Sequence, residues 1–259
     1  MVEPLGKSHL AWFRSTLTGR HDWLLSSFGP QESRAALSAS EFSFNMRLLL
    51  CLPLKTPVVP DQCPCGLAGK GGRLNESSGA YHFASCTHEL GGWTIAKHNN
   101  VVCLLDEFIQ SAPLSACVIH ANNRKVFHVA DAQKDVHADS ICVIGETEYI
   151  IDVTARNPSA PSYYKKYVDK VLLGAEKVKR DHFDGYTGSS VFVPFAYDLN
   201  GNLSPSALEF LGRLFAYDKS KDRVVLKAFL RRFSLCIARD LNNLSSCFHA
   251  NICGATFRQ

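Results

Sequence analysis

"QKDVHADSICVIGETEYIIDVTARNP" occupies residues 133–158. Ser140 to Ile144 and Thr147 to Val153 are rich in Ile, Val, Cys and Tyr, as strands are. The Gly145-Glu146 loop between them suits a type II′ hairpin turn, which takes glycine first. In that register Ile144 faces Thr147, and Asp139 faces Asp152 at the open end of the hairpin. Directly opposed β-carbons lie about 4.5–5.5 Å apart, and like charges there destabilise a sheet. A shared proton, a nearby Lys or Arg, or a divalent cation would offset that repulsion. The alternative is a longer, looser loop that sends the two acids to different faces.

The 259-residue chain is 46% hydrophobic, enough for one large domain or two small ones. Its net charge of +4 points only weakly to a polyanionic partner. No apolar run has the length of a membrane span; "MRLLLCLPL" (46–54) is short and is closed by Pro53 and Lys55. The N-terminal "MVEPLGKSHLAWF" lacks the regions of a signal peptide, so an intracellular chain with reduced cysteines is expected. Most of the 10 cysteines, such as Cys103 and Cys142, then read as small core residues.

Periodicity organises the remainder. "SASEFSFNMRLLLCL" predicts a capped helix with Glu41 in its first turn. Thr94 is the candidate cap of a helix through Ile95, His98, Val101, Val102, Leu105 and Ile109. "KVFHVA" (125–130) and "SVFVPFAYD" (190–198) read as strands on either side of the hairpin. "YYKKYVDKVLLGAEKVKRDHF" carries a helical stripe through Tyr164, Val168, Val171, Ala175 and Val178. Pro205 opens another helix, and a basic one runs from about Val224 to Leu244, with Lys227, Arg231, Arg232 and Arg239. Helix, hairpin, helix, strand, helix is the order of an α/β domain. We divide the chain into a helical segment and linker (1–60), a cysteine-rich segment (61–92), the α/β domain (93–217) and a basic C-terminal helix (218–259).

The cysteine-rich segment contains "CPCG" (63–66) and "YHFASC" (81–86). Cys63, Cys65, His82 and Cys86 supply three thiolates and an imidazole, a normal structural zinc shell. His88 competes with His82 for the fourth place. Residues 66–80 between them have almost no apolar side chains, so a metal would account for their order.

In sequence order, these motifs resemble the C-terminal region of non-LTR retrotransposon polyproteins, whose endonuclease is of the restriction-like, PD-(D/E)xK type. The resemblance covers about residues 40–240. It implies a restriction-endonuclease-like core, a mixed sheet flanked by helices, preceded by a small zinc knuckle at Cys63, Cys65, His82 and Cys86. Lys97-His98 matches the family's basic-His pair, Asp139 its Pro-Asp acid and Asp152 its second acid. Lys179 is nearest its helical lysine, with Lys165 or Lys166 as alternatives. Ala138 stands in place of the family's proline, Thr154 in place of its strand lysine, and His182-Phe183 in place of its Lys-Tyr pair.

The implied activity is metal-dependent cleavage or nicking of DNA. Asp139 and Asp152 would hold Mg²⁺ or Mn²⁺, Glu107 would add a third carboxylate, and His98 and Lys179 would assist. Lys97, Lys165, Lys166, Lys170, Lys177 and Arg180 would contact phosphates of DNA, or of RNA, in the nucleus or elsewhere in the cell. Two alternatives stay open: a nucleic-acid-binding remnant that no longer cuts, and a structural or interaction protein that uses neither site.

Overall fold

A computed structural model describes residues 7–26, 37–50, 52, 84, 91–111, 116–118, 126–129, 134–163, 165–184, 189–215 and 222–256. Its helices are α1 (Lys7–Thr18), α2 (Trp23–Ser26), α3 (Ala39–Leu49), α4 (Gly91–Ser111), α5 (Val168–Phe183), α6 (Pro205–Phe215) and α7 (Asp222–Thr256). Its strands are β1 (Ala116–Val118), β2 (Val126–Val129), β3 (Lys134–His137), β4 (Ser140–Ile144), β5 (Thr147–Arg156) and β6 (Val191–Asp198). The protein is mixed α/β. A four-stranded sheet runs in the order β1-β4-β5-β6, antiparallel up to β5 and parallel between β5 and β6. Parallel neighbours need a crossover, and α5 supplies it. No helix among the described residues is long and apolar enough to cross a membrane.

The β4–β5 hairpin closes as its sequence predicts. Ile144 pairs with Thr147, and Gly145 takes φ +63°, the left-handed backbone that favours glycine. The capped helix is α3: Ser38 Oγ accepts from Glu41 N–H at 3.3 Å, and Glu41 Oε2 accepts from Ser38 N–H at 2.7 Å. Pro205 is the first residue of α6, as expected.

Other boundaries move. Residues 126–129 pair with Lys134–His137 in a separate ribbon, outside the main sheet. Helix α4 begins at Gly91, so Thr94 is inside it and does not cap it. Helix α5 starts only at Val168 because Tyr163 and Lys166 N–H groups bond three residues back, in turns. Helix α7 extends to Thr256, well past Leu244.

Strand β5 is buried on both faces from Tyr149 to Thr154, as a central strand should be. Alternation sends Tyr149, Ile151 and Val153 into the main core, with Leu105 of α4, Phe195 of β6, Phe210 of α6 and Phe229 and Phe233 of α7. Trp12 of α1 and Leu48 of α3 join that core. The boundaries drawn near 60 and 217 therefore do not divide the hydrophobic interior. On the opposite face Ile150 packs with Val136, Ala138, Ile141 and Phe183. Asp152, Thr154 and Arg156 follow Ile150 at period two and so share that face.

Phe229 is fully buried, edge-on to Phe108 at 5.1 Å and stacked near Phe233 at 5.9 Å. Phe229→Ala should cost about 3–5 kcal/mol in urea unfolding. A loss under about 1 kcal/mol would mean that α7 does not share this core.

Candidate active site

Strand β4 stops pairing at Ser140↔Ile151, while β5 runs on to Arg156 beside β6. Among the described residues no strand pairs with the β4-side edge of β5 from Val153 onward. Val153 N–H donates instead to Asp139 Oδ2 at 2.8 Å, and Val153 O accepts from His98 Nε2 at 3.1 Å. The same His98 nitrogen donates to Asp139 Oδ2 at 3.0 Å. Asp139 N–H bonds Ile151 O at 3.0 Å, so its backbone has left the hairpin register just where its side chain enters the site. The predicted facing of Asp139 and Asp152 is thus displaced at the backbone, yet the two carboxyl groups still lie close enough for each to shift the other's protonation.

Lys179 completes the group from α5. Its Nζ lies 3.0 Å from Asp152 Oδ1 and 2.9 Å from Oδ2. Helical spacing aligns it with Leu172 and Ala175, which pack on Ala196 of β6 and turn this face of α5 to the sheet. His98, Asp139, Asp152 and Lys179 are therefore brought together from α4, the β4–β5 hairpin and α5.

The electrostatics divide the acids. Burial pushes Asp152 up to about 7, its hydrogen bond with Asp139 adds to that, and Lys179 opposes it. Burial also works to raise Asp139, but hydrogen bonds from His98 and Asp152, the His98 charge and Val153 N–H together hold it below the usual carboxylate range. One proton shared by the pair, on the Asp152 side, satisfies both. His98 is raised, chiefly by its hydrogen bond to Asp139. Its Nδ1 faces Asn99 Oδ1 at 3.2 Å, so both ring nitrogens meet oxygens, as suits an imidazolium.

Two expected members are elsewhere. Glu107 is exposed and pairs with Arg232 of α7 at 2.5 Å, so it does not serve as the third carboxylate. Its neighbour Asp106 is the acid turned inward, its Oδ1 accepting from Ser140 Oγ at 2.5 Å while its buried Oδ2 has no partner among the described residues. Burial raises Asp106 to about 6. The signal was available: Asp106 lies one turn from the core positions Val102 and Ile109, whereas Glu107 follows the exposed Cys103. Lys97, expected to meet phosphates, is 8% exposed, its pKa lowered by burial with the Asp240 charge opposing. It faces α7 and is withdrawn from any surface ligand.

Lys165, Lys166, Lys170, Lys177 and Arg180 are exposed, and Arg180 donates to Ser206 Oγ at 2.8 Å. Phe183, at the tyrosine of the family's Lys-Tyr pair, is buried and stacked on Phe192 with ring centroids 4.2 Å apart. Cys63, Cys65, His82, Cys86 and the competing His88 lie outside the described residues.

Among the described residues no group of three or more His, Cys, Asp or Glu is arranged to hold a metal ion. The donor set on offer is the pair Asp139 and Asp152. Mg²⁺ is commonly bound through one or two carboxylates, with water and substrate phosphate filling its other positions, so the pair fits such an ion. No protein-family model matches the chain. No curated protein matches it either.

The raised Asp152 has a consequence for stability. The folded state keeps a proton that the unfolded chain releases near 3.8, so stability should fall as pH rises from about 3.8 to about 7 and then level off. Asp152→Asn removes that contribution. Its melting temperature relative to wild type should climb across the same window, in metal-free buffer. Parallel curves for the two proteins would show that Asp152 does not hold the extra proton.

Proposed function

We propose that the chain is a metal-dependent DNA endonuclease with a restriction-like, PD-(D/E)xK-type core, similar to the C-terminal endonuclease region of non-LTR retrotransposon polyproteins. The observation that carries this reading is the close pair of buried carboxyls, Asp139 and Asp152, with His98 on one and Lys179 on the other. Its support also includes the order of elements: α4, then β1, β4 and β5 as an antiparallel set, then α5 and the parallel β6. Such a reading places the work where DNA is, in the nucleus or otherwise inside the cell.

Asp139 and Asp152 would bind the cation through carboxylate oxygens. When bound, Mg²⁺ or Mn²⁺ supplies Lewis-acid polarisation of the phosphate and a lowered pKa for attacking water. With a cation held by Asp139 and Asp152, the Asp152 proton would be displaced to solvent and at least one Asp152 oxygen would be drawn away from Lys179. The freed Nζ of Lys179 can then donate to the attacking water or to a phosphate oxygen, where it offsets developing charge. His98 positions Asp139 by holding Oδ2, and Val153 N–H fixes the same atom from the strand. Lys165, Lys166, Lys170, Lys177 and Arg180 would meet backbone phosphates without reading bases. The same proposal assigns Cys63, Cys65, His82 and Cys86 to one structural zinc ion.

Supercoiled plasmid should be nicked in Mg²⁺ or Mn²⁺ by the wild type. Asp139→Ala and Asp152→Ala should abolish nicking, Lys179→Ala should slow it by about 100-fold, and Glu107→Ala should leave it intact. Equal background in wild type and Asp152→Ala rejects the enzyme and leaves the binding remnant as the reading. Metal analysis of the purified protein should find one zinc per chain, lost in a Cys63→Ser, Cys86→Ser double variant. A chain that folds and holds no zinc would remove the knuckle.

A further inference from the structure

We propose that Arg156 is an anion contact that seats a DNA phosphate next to the one held at Asp139 and Asp152; this rests on the endonuclease reading above. Asp152, Thr154 and Arg156 occupy alternate positions of β5 and so line one face. Four residues of strand span about 13 Å, which would put an extended arginine far from the acids. The side chain does not extend away. Its Nη1 donates to Thr154 Oγ1 at 3.0 Å and to Ala155 O at 3.2 Å, which lays the guanidinium over Thr154. That is two residues, about 7 Å, from Asp152.

Arg156 is half-buried. No carboxylate forms an ion pair with Arg156 among the described residues. The acid paired with it across the β5–β6 ladder is Asp198. Asp198 is already committed: Oδ1 accepts from Asn200 and Asn202 N–H, and Oδ2 from Ser15 Oγ and Asn202 Nδ2. A half-buried arginine is normally matched with a carboxylate or presented to an anionic ligand. Arg156 spends one nitrogen on a hydroxyl and a carbonyl, and the planar fork keeps donors for a phosphate. The exposed lysines of α5 can follow any nearby phosphate, whereas Arg156 is fixed by the strand that carries Asp152. It thereby sets where along the backbone the acids act.

Binding of a short fluorescent DNA duplex in Ca²⁺ would test this, across a salt series, for wild type, Arg156→Gln, Arg156→Lys, Thr154→Val and Asp152→Asn. Arg156→Gln should bind about 10-fold or more weakly at every sequence tried, with a salt slope smaller by about 0.9. Arg156→Lys should recover part of the affinity and the whole slope. Thr154→Val, which removes the rest for the guanidinium, should lose several-fold while keeping the slope, and it stands in for Arg156→Gln if that variant does not fold. Asp152→Asn should bind the duplex without nicking it in Mg²⁺. If wild type fails to nick while Arg156→Gln still loses affinity and slope, the endonuclease falls and the anion contact stands. Unchanged affinity and slope in Arg156→Gln, or no duplex binding by the wild type, overturns the contact.

Discussion

Val153 carries an amide and a carbonyl on a stretch of β5 that, among the described residues, has outrun its backbone partner β4. Both groups sit in an interior where an unpaired polar atom costs roughly 1–3 kcal/mol. The sheet satisfies them with side chains: Asp139 takes the N–H and His98 meets the carbonyl. That one requirement draws a carboxylate and an imidazole to the same place. It also brings Asp139 against Asp152, the next charged residue along β5. The candidate site is thus built at a termination of secondary structure, where backbone groups that would otherwise close a ladder become anchors for functional ones.

Buried acids recur in this protein, and their surroundings separate structural roles from chemical ones. Asp198 is fully enclosed and raised to about 6 by burial, yet four donors satisfy it and bind α1 to the turn after β6. The approach there is so close that a β-carbon on Gly19 would lie 2.4 Å from Asn200 O. Asp240 plays a similar part between α4 and α7, accepting from Asn100 Nδ2 at 2.9 Å beside Lys97. These acids are pins with their oxygens committed. The Asp139–Asp152 pair differs because two acids are set against each other and share a proton, and the lysine on Asp152 is a quarter exposed. On the proposed reading a cation would replace both the proton and the ammonium, whereas the oxygens of Asp198 are already taken.

Much of the site was legible from local chemistry. Glycine in the loop set the hairpin and its register, and helical spacing turned Lys179 and His98 toward the sheet. The errors have local causes too. Asp106 and Glu107 differ by about 100° around α4, and it is Asp106 that continues the stripe of Val102 and Ile109 and meets Ser140. Lys97 is adjacent to His98 in sequence, but it is buried beside Asp240 of α7.

What the sequence by itself determined is the alternation and punctuation of its elements: strand composition around Gly145, the Ser38–Glu41 cap, Pro205, and the spacing of apolar stripes. These depend on residues within a few positions of one another, so the local pattern suffices. Tertiary structure alone decided that β5 outruns β4, that Asp139 leaves its ladder to cap Val153, and that Arg156 folds back over Thr154 with Asp198 already occupied. Each of these depends on groups brought together from distant parts of the chain, and on polar atoms that acquire a cost only when water has been excluded around them.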